Sequence, residues 1–393
     1  MTIPEKPISL MLVCGEPSGD QLGGQLMAGL RALAGDSIVI SGVGGRAMEA
    51  QGLKSLFPLD DTAVMGLREV VPKIPRILGR VRDACDYALA TRPDAVVLID
   101  SPDFTHRIAR AVKRRDASIA TINYVAPQVW ASRAYRARAM ARYFDLVLAL
   151  LPFEPPFFES YNLSAVFVGH PVLERAARMT GGAGLRRRLG IAPDAPLLAV
   201  LPGSRSNEIR FILPVFREAV RLIAARVPGL VTVLPTVPHV ATRVQAATTD
   251  WPAPLHVILD EDQKFAAFDA ANAALAASGT VTTELALARV PFVSAYRVGW
   301  LTYALARPLF KLPHFTLVNL LLKRGAVPEF LQGAASPQSL ADAVTPLLTV
   351  PEAAARQRND LDEAMRLLGR GGEPPSLRAA QAILDFVRSR RAG

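Results

Sequence analysis

A chain of 393 residues exceeds one ordinary core and fits two domains. Half of it is hydrophobic and 20% is charged, with no low-complexity tract, which excludes a disordered chain. The formal net charge of +10 asks for an anionic partner, a role that nucleic acid, an anionic lipid surface or a phosphorylated substrate would each fill.

Nucleic acid is disfavoured, because the chain has no aromatic-studded RNA-binding motif, zinc-finger pattern or long basic run. Cys14 and Cys85 match neither a disulfide framework nor metal-ligand spacing, which points to a reducing, cytoplasmic setting. The first apolar run, ISLMLVC, is too short for a signal segment or a span. The expectation is a cytosolic protein that does not cross a membrane.

Ser9 to Val13 reads as a buried strand, and Gly15-Glu16-Pro17-Ser18-Gly19-Asp20 as the turn that opens a helix. Gly15 and Gly19 are expected for backbone torsions that other residues resist. Asp20 complements the dipole of its own helix, and Glu16 could reach a sugar hydroxyl. Ser37 to Val43 is a second strand, ending at Gly42-Val43-Gly44-Gly45-Arg46. No GxGxxG with an acidic residue about 20 positions on follows the first strand, so a nicotinamide fingerprint is lacking.

Thr62 to Ile77 interleaves Val64, Met65, Leu67, Val70, Val71, Ile74 and Ile77 with Arg68, Lys73 and Arg76. Pro72 and Pro75 are expected to break this stretch into short pieces. It fits either an apolar and basic patch on an anionic leaflet or a surface for interdomain packing. Asp94 to Ile99 is a strongly strand-like run that stops at Asp100-Ser101-Pro102-Asp103-Phe104. Asp103 is expected to cap the next helix. Asp100 should sit at the strand's carboxyl tip, where an ionised carboxylate has a partner or a task.

Further strands at Thr121 to Val125, Asp145 to Leu150 and Ala165 to Val168 complete a first lobe. The stretch Leu197 to Ile209 then repeats the strand, turn and helix layout, with Pro202-Gly203-Ser204-Arg205 at the turn. Free N–H groups at such a turn face the sheet's carboxyl edge, and Arg205 either matches a phosphate or serves as a helix cap or surface partner. Ala273 to Ala277 leads into Ser278-Gly279-Thr280, again offering N–H and O–H donors. Glu284, one turn inside that helix, either accepts from ribose hydroxyls or complements the helix dipole. Residues 1-175 and 191-370 therefore read as two Rossmann-like α/β lobes facing a central cleft. The stretch 176-190 reads as a linker, and 371-393 as a helix packing on the first lobe or on a partner.

The ordered set Gly15 to Asp20, Ala63 to Gly66, Asp100 to Phe104, Tyr124 to Ala131, Leu151 to Glu154, Gly169 to Pro171, Leu201 to Arg205, Ser278 to Thr280 and Asn319 to Leu321 resembles the bacterial lipid-A-disaccharide synthases. It departs from their usual pattern at Gln128 and Ser132. The resemblance implies an inverting glycosyltransferase of the GT-B type, with no required metal and no cofactor. Such an enzyme joins the sugar of UDP-2,3-diacylglucosamine to 2,3-diacylglucosamine 1-phosphate (lipid X), releasing UDP. It implies Asp100 as general base and Arg205 and Asn319 on the UDP side. To these the residue reading adds Gly203, Ser204, Ser278, Gly279, Thr280 and Glu284 for UDP, and Glu16, Ser18, Asp103 and Gln332 for the sugars. The resemblance also implies a peripheral enzyme on the cytoplasmic face of the inner membrane, in a family whose members can form homodimers with exchanged C-terminal segments. Alternatives are another UDP-sugar enzyme of this fold, such as a 2-epimerase or a lipid-linked N-acetylglucosaminyltransferase, and a non-catalytic binder of nucleotide or anionic lipid.

Overall fold

The computed structural model describes residues 6–62, 67–132, 134–299 and 313–392, and the chain divides into two compact units, Met1–Pro171 with Gly372–Gly393 and Val172–Gly371. Each unit holds a 6-stranded sheet, parallel at every pairing. In the first unit the strands are β1 (Ile8–Cys14), β2 (Ile38–Val43), β3 (Ala95–Ile99), β4 (Ala120–Tyr124), β5 (Leu146–Ala149) and β6 (Ala165–Phe167), in the order β2-β1-β3-β4-β5-β6. In the second they are β7 (Leu197–Leu201), β8 (Val231–Pro235), β9 (Leu255–Ile258), β10 (Ala273–Ala277), β11 (Phe292–Tyr296) and β12 (Glu329–Leu331), in the order β12-β11-β10-β7-β8-β9.

The central strands are apolar at nearly every position because helices cover both faces. On one face of the first sheet, Leu10, Leu12 and Ile99 pack with Leu26, Leu30, Ile383 and Leu384 from the helices Pro17–Ala34 and Pro375–Ala392. On the other, Met11, Val13 and Leu98 pack with Val81, Ala84 and Ile108. Each Leu, Ile, Val or Met among them contributes about 1.5–3 kcal/mol on full burial.

Two expectations are corrected. Residues Leu67–Thr91 form one continuous helix that runs through both Pro72 and Pro75 instead of breaking there. Its second half is anchored by buried Val81, Ala84, Cys85 and Ala88, and Arg80 donates to Asp61 at 2.8 and 2.9 Å. That packing outweighs the roughly 3 kcal/mol an interior proline costs. The stretch expected as a linker carries the helix Gly182–Arg188 and belongs to the second unit. Buried Arg186 donates there to the carbonyls of Ala270 (2.7 Å), Ala192 (3.0 Å) and Ala195 (2.9 Å), which makes the stretch part of the core.

Candidate active site

In an open parallel sheet, ligands bind beyond the carboxyl ends of the strands, where the strand order reverses. The first sheet reverses between β1 and β3, and the pairing of Cys14 with Ile99 brings their two following turns level. Glu16 and Ser18 leave β1, and Asp100, Ser101 and Asp103 leave β3, so four of the expected residues, Glu16, Ser18, Asp100 and Asp103, come from one edge of the sheet. Asp100 (φ 53°) and Ser101 (φ 45°) both sit in the left-handed region, a costly conformation for residues with a Cβ. It is held by Asp100 N donating to Tyr124 O (2.9 Å) and Thr105 Oγ1 donating to Asp100 O (2.7 Å). From this strained corner the Asp100 carboxylate reaches the first turn of the helix Pro17–Ala34, where Ser18 Oγ donates to Oδ2 at 3.1 Å.

Gly15 and Gly19 serve here by their size, since neither has a positive φ. A Cβ on Gly15 would stand 2.8 Å from Ser101 Cβ, and one on Gly19 would stand 3.2 Å from Ile99 O. Half-buried Glu16 has its carboxyl pushed up, first by burial and then by the charge of Asp100. Asp20 does not simply complement its own helix. Its carboxylate accepts from the N–H groups of Gly45 (2.7 Å), Ala47 (2.9 Å) and Met48 (3.1 Å), which tie the end of β2 to the turn. Asp103 lies in the first turn of the helix Pro102–Arg115, whose N-cap is Ser101 and not Asp103. The Tyr124 to Ala131 and Leu151 to Glu154 motifs meet where buried Glu154 accepts from Trp130 Nε1 and from Leu150 and Leu151 N, all at 3.0 Å.

The second sheet reverses between β7 and β10, and the turns after these two strands line a cavity of about 390 Å³. Gly203, Ser204, Arg205, Ser278, Gly279, Thr280 and Glu284 all lie on its wall. That volume suits a small-molecule ligand. Gly203 has φ 104°, and a Cβ there would meet Glu208 Oε2 at 2.3 Å. Glu208 Oε2 accepts from the N–H groups of Ser204 (3.0 Å) and Arg205 (3.1 Å), closing a capping box at the start of the helix Ser206–Ala224. Arg205 is 80% exposed at the rim and reaches Glu208 Oε1 at 3.0 Å. Glu284 is buried in the cavity floor, paired with Arg175 and with Lys264 at 3.2 Å.

Asn319 does not line this cavity. It is fully buried, its Nδ2 donating to Val327 O (2.8 Å) and its Oδ1 accepting from Val327 N (2.9 Å), so its amide is spent on holding a loop. Gln332 is likewise occupied, exchanging hydrogen bonds of 3.3 Å with Val298 N and O at the edge of β11. Of the apolar and basic stretch, Val64 and Met65 lie outside the described residues, as do the side chains of Arg68, Val70, Val71 and Lys73. Ile74 is exposed, as is Leu78 one turn on. Sequence reasoning missed Glu208, Arg175 and Lys264. Glu208 stands three residues after Arg205, the spacing of a capping box, and was legible. Arg175 reaches Glu284 from 109 residues away, which only the fold reveals.

A sequence profile of the lipid-A-disaccharide synthetase family matches residues 10–383. The chain belongs to that family. As one of the lipid-A-disaccharide synthetases it is 48% identical to the lipid-A-disaccharide synthase of Rhodospirillum centenum over 385 residues, covering 98% of this chain and 96% of that one. Its fold is also that of the UDP-GlcNAc 2-epimerase of Neisseria meningitidis, solved bound to UDP-GlcNAc, with a TM-score of 0.61 at 13% identity over 97% of this chain and 99% of that one. MurG of Acinetobacter baumannii gives a TM-score of 0.58 at 17% identity over 98% of this chain and 100% of the other. These two likenesses establish a two-lobe α/β fold of the GT-B type. Among the described residues no helix is long and apolar enough to cross a membrane.

Proposed function

We propose that this chain is an inverting lipid-A-disaccharide synthase. It joins the sugar of UDP-2,3-diacylglucosamine to lipid X through a β-1,6 linkage and releases UDP. The observation that carries this assignment is the family match across residues 10–383. In the reaction an acceptor hydroxyl attacks the anomeric carbon of the donor. The new C–O bond forms as the bond to the β-phosphate breaks, the electron pair leaves with UDP and the hydroxyl proton goes to Asp100.

Asp100 suits the role of base because the left-handed corner and the Ser18 hydrogen bond fix where its carboxylate stands. An aspartate is ordinarily a weak base at neutral pH, so placement carries much of the effect. Around the second cavity, Arg205, Arg175 and Lys264 provide cationic charge for the departing diphosphate, so the reading requires no metal and no cofactor. Ser278 and Thr280 add hydroxyl donors, and Glu284 faces the ribose.

The proposal places the protein on the cytoplasmic face of the inner membrane, held there by its positive charge and by the surface of the helix Leu67–Thr91, where Ile74 and Leu78 are exposed. It includes a homodimer that exchanges the segment 372–393, which here packs on its own chain's helix Pro17–Ala34. Co-sedimentation with anionic liposomes should fall in a V70S/V71S/I74S variant, and unchanged co-sedimentation rejects the docking surface. The activity itself is tested by supplying purified protein with UDP-2,3-diacylglucosamine and lipid X. Stoichiometric release of UDP with disaccharide 1-phosphate is expected. Silence with this pair, or conversion of UDP-GlcNAc to its 2-epimer instead, rejects the assignment.

A further inference from the structure

The first unit contains two adjoining cavities, of about 620 and 240 Å³, between the helices Leu67–Thr91, Pro102–Arg115 and Tyr135–Met140. Arg107, Arg110, Ala139 and Tyr143 line both. The narrower one adds His106, Arg136 and Asp103, and the wider one adds Arg142 and the apolar Leu78 and Val81. Among the described residues, Arg107, Arg110, Arg136 and Arg142 make no ion pair. Arg107 donates to Asp103 O (2.8 Å) and Arg110 to Tyr143 Oη (3.0 Å). The same helix neutralises Lys113 with Asp145 at 2.8 Å and Arg115 with Asp86. Counting Arg114 in the wider cavity, five guanidinium groups without an ion pair among the described residues face one carboxylate, that of Asp103, and this excess of positive charge favours an anionic ligand.

A second observation converges on the same place. His106 is 7% exposed, its Nδ1 lies 3.2 Å from Tyr143 Oη, and its buried Nε2 has no hydrogen-bond partner. Burial, and then the charges of Arg110 and Arg136, lower its pKa to about 4, so it stays neutral in the positive field of the hollow. Arginine's planar fork matches phosphate oxygens, while Leu78 and Val81 offer the wide end to methylene groups.

We infer that these joined cavities bind the phosphate monoester of a sugar that also bears acyl chains, namely the 1-phosphate of the acceptor lipid. This rests on the function proposed above. The helix Pro102–Arg115 that bears Arg107 and Arg110 follows Asp100 directly through its N-cap Ser101, so the base and the phosphate receptors stand on consecutive pieces of one chain segment.

Arg136 is exposed and, among the described residues, its side chain makes no hydrogen bond or ion pair, so R136Q should fold as the parent does, and R110Q serves as a second variant. Their thermal melts check this. The KM for lipid X should rise about tenfold in each, with donor KM and kcat within about twofold of the parent. An acceptor lacking the 1-phosphate should be equally poor for parent and variants. An unchanged lipid X KM, or an equal loss with both acceptors, overturns the inference. It is also overturned if the loss appears only on phosphatidylglycerol vesicles and vanishes with detergent-dispersed acceptor, because the anion would then be a membrane headgroup. If the parent releases no UDP from the two lipids, the proposed function has failed by itself. Glucosamine 1-phosphate titrated by NMR then decides the cavity, with shifts at Tyr143 and Ala139 supporting it only if R110Q and R136Q abolish them.

Discussion

The two switch points share one architecture and carry opposite charge. At the first, Glu16, Asp100 and Asp103 gather beyond β1 and β3, with Ser18 as the hydroxyl donor to Asp100. At the second, the three cations Arg205, Arg175 and Lys264 outnumber the two acids they pair with, Glu208 and buried Glu284, on one cavity wall. The backbones differ in the same sense. The first turn spends left-handed strain on two residues with side chains, Asp100 and Ser101, whereas the second gives its positive φ to Gly203, which has none. Strain borne by a functional side chain fixes where a base stands. A glycine instead lets a backbone come close to an anion, here the Glu208 carboxylate.

The comparison breaks first at Asp100. In D100N the left-handed corner survives, since Asn tolerates it, and Ser18 keeps an acceptor. Turnover should fall between about a hundredfold and ten-thousandfold, the usual range for a lost general base, while UDP affinity stays unchanged. A D100N enzyme with near-parental kcat removes the acidic pole of the contrast. The cationic pole is tested by R205Q, where losing a charge-assisted donor to the diphosphate should lower kcat/KM about ten- to a hundredfold and weaken UDP binding. Equal UDP titrations for parent and R205Q would leave the second cavity without its proposed task.

Substitution of Gly203 sharpens the contrast in backbone. G203A places a Cβ against the Glu208 carboxylate at a residue with φ 104°, so it should cost about 1–3 kcal/mol in urea unfolding and loosen the capping box. G15A probes space instead, since its Cβ would press on Ser101, the neighbour of Asp100. Its effect should therefore appear more in kcat than in stability. If both variants unfold and turn over like the parent, the two glycines do not constrain the turns as described.

Much of this was legible in the chain itself. The apolar runs at Ser9 to Val13, Asp94 to Ile99 and Leu197 to Leu201 announce buried parallel strands, and the turns after them hold most of the residues that gather at the two edges. Strand order was not legible, because it depends on which way each crossover passes, and local patterns are blind to that. The same blindness hid Asp20, whose partners at Gly45, Ala47 and Met48 lie at the start of the short helix Arg46–Ala50 after β2, and Arg175, which meets Glu284 across the second unit. Asn319 came to the UDP side only through the family resemblance. In the structure the backbone of Val327 takes both ends of its amide, a pairing that the chain does not display. Pro72 and Pro75 misled because local propensity was given more weight than the packing of Val81 to Ala88.

The smallest expected effect tests whether Glu16 and Asp100 sense each other. The Glu16 carboxyl is pushed up, by burial first and by Asp100 second. Its folded value therefore lies above its unfolded value near 4.3. Between the two values the folded chain binds more protons than the unfolded one, so stability falls as pH rises through that window. The full cost persists above the folded value, and below about 4.3 it vanishes because both states are protonated. E16Q should therefore gain on the parent as urea midpoints are followed upward across the window, and the gap should level off beyond it. In a D100N background the charge that contributes to the shift is gone while the burial remains, so the window should narrow without closing. A parent and E16Q that track each other in parallel across the acid range would show that the carboxyl titrates as it does in water. The acidic pole would then be two independent side chains and not one coupled site.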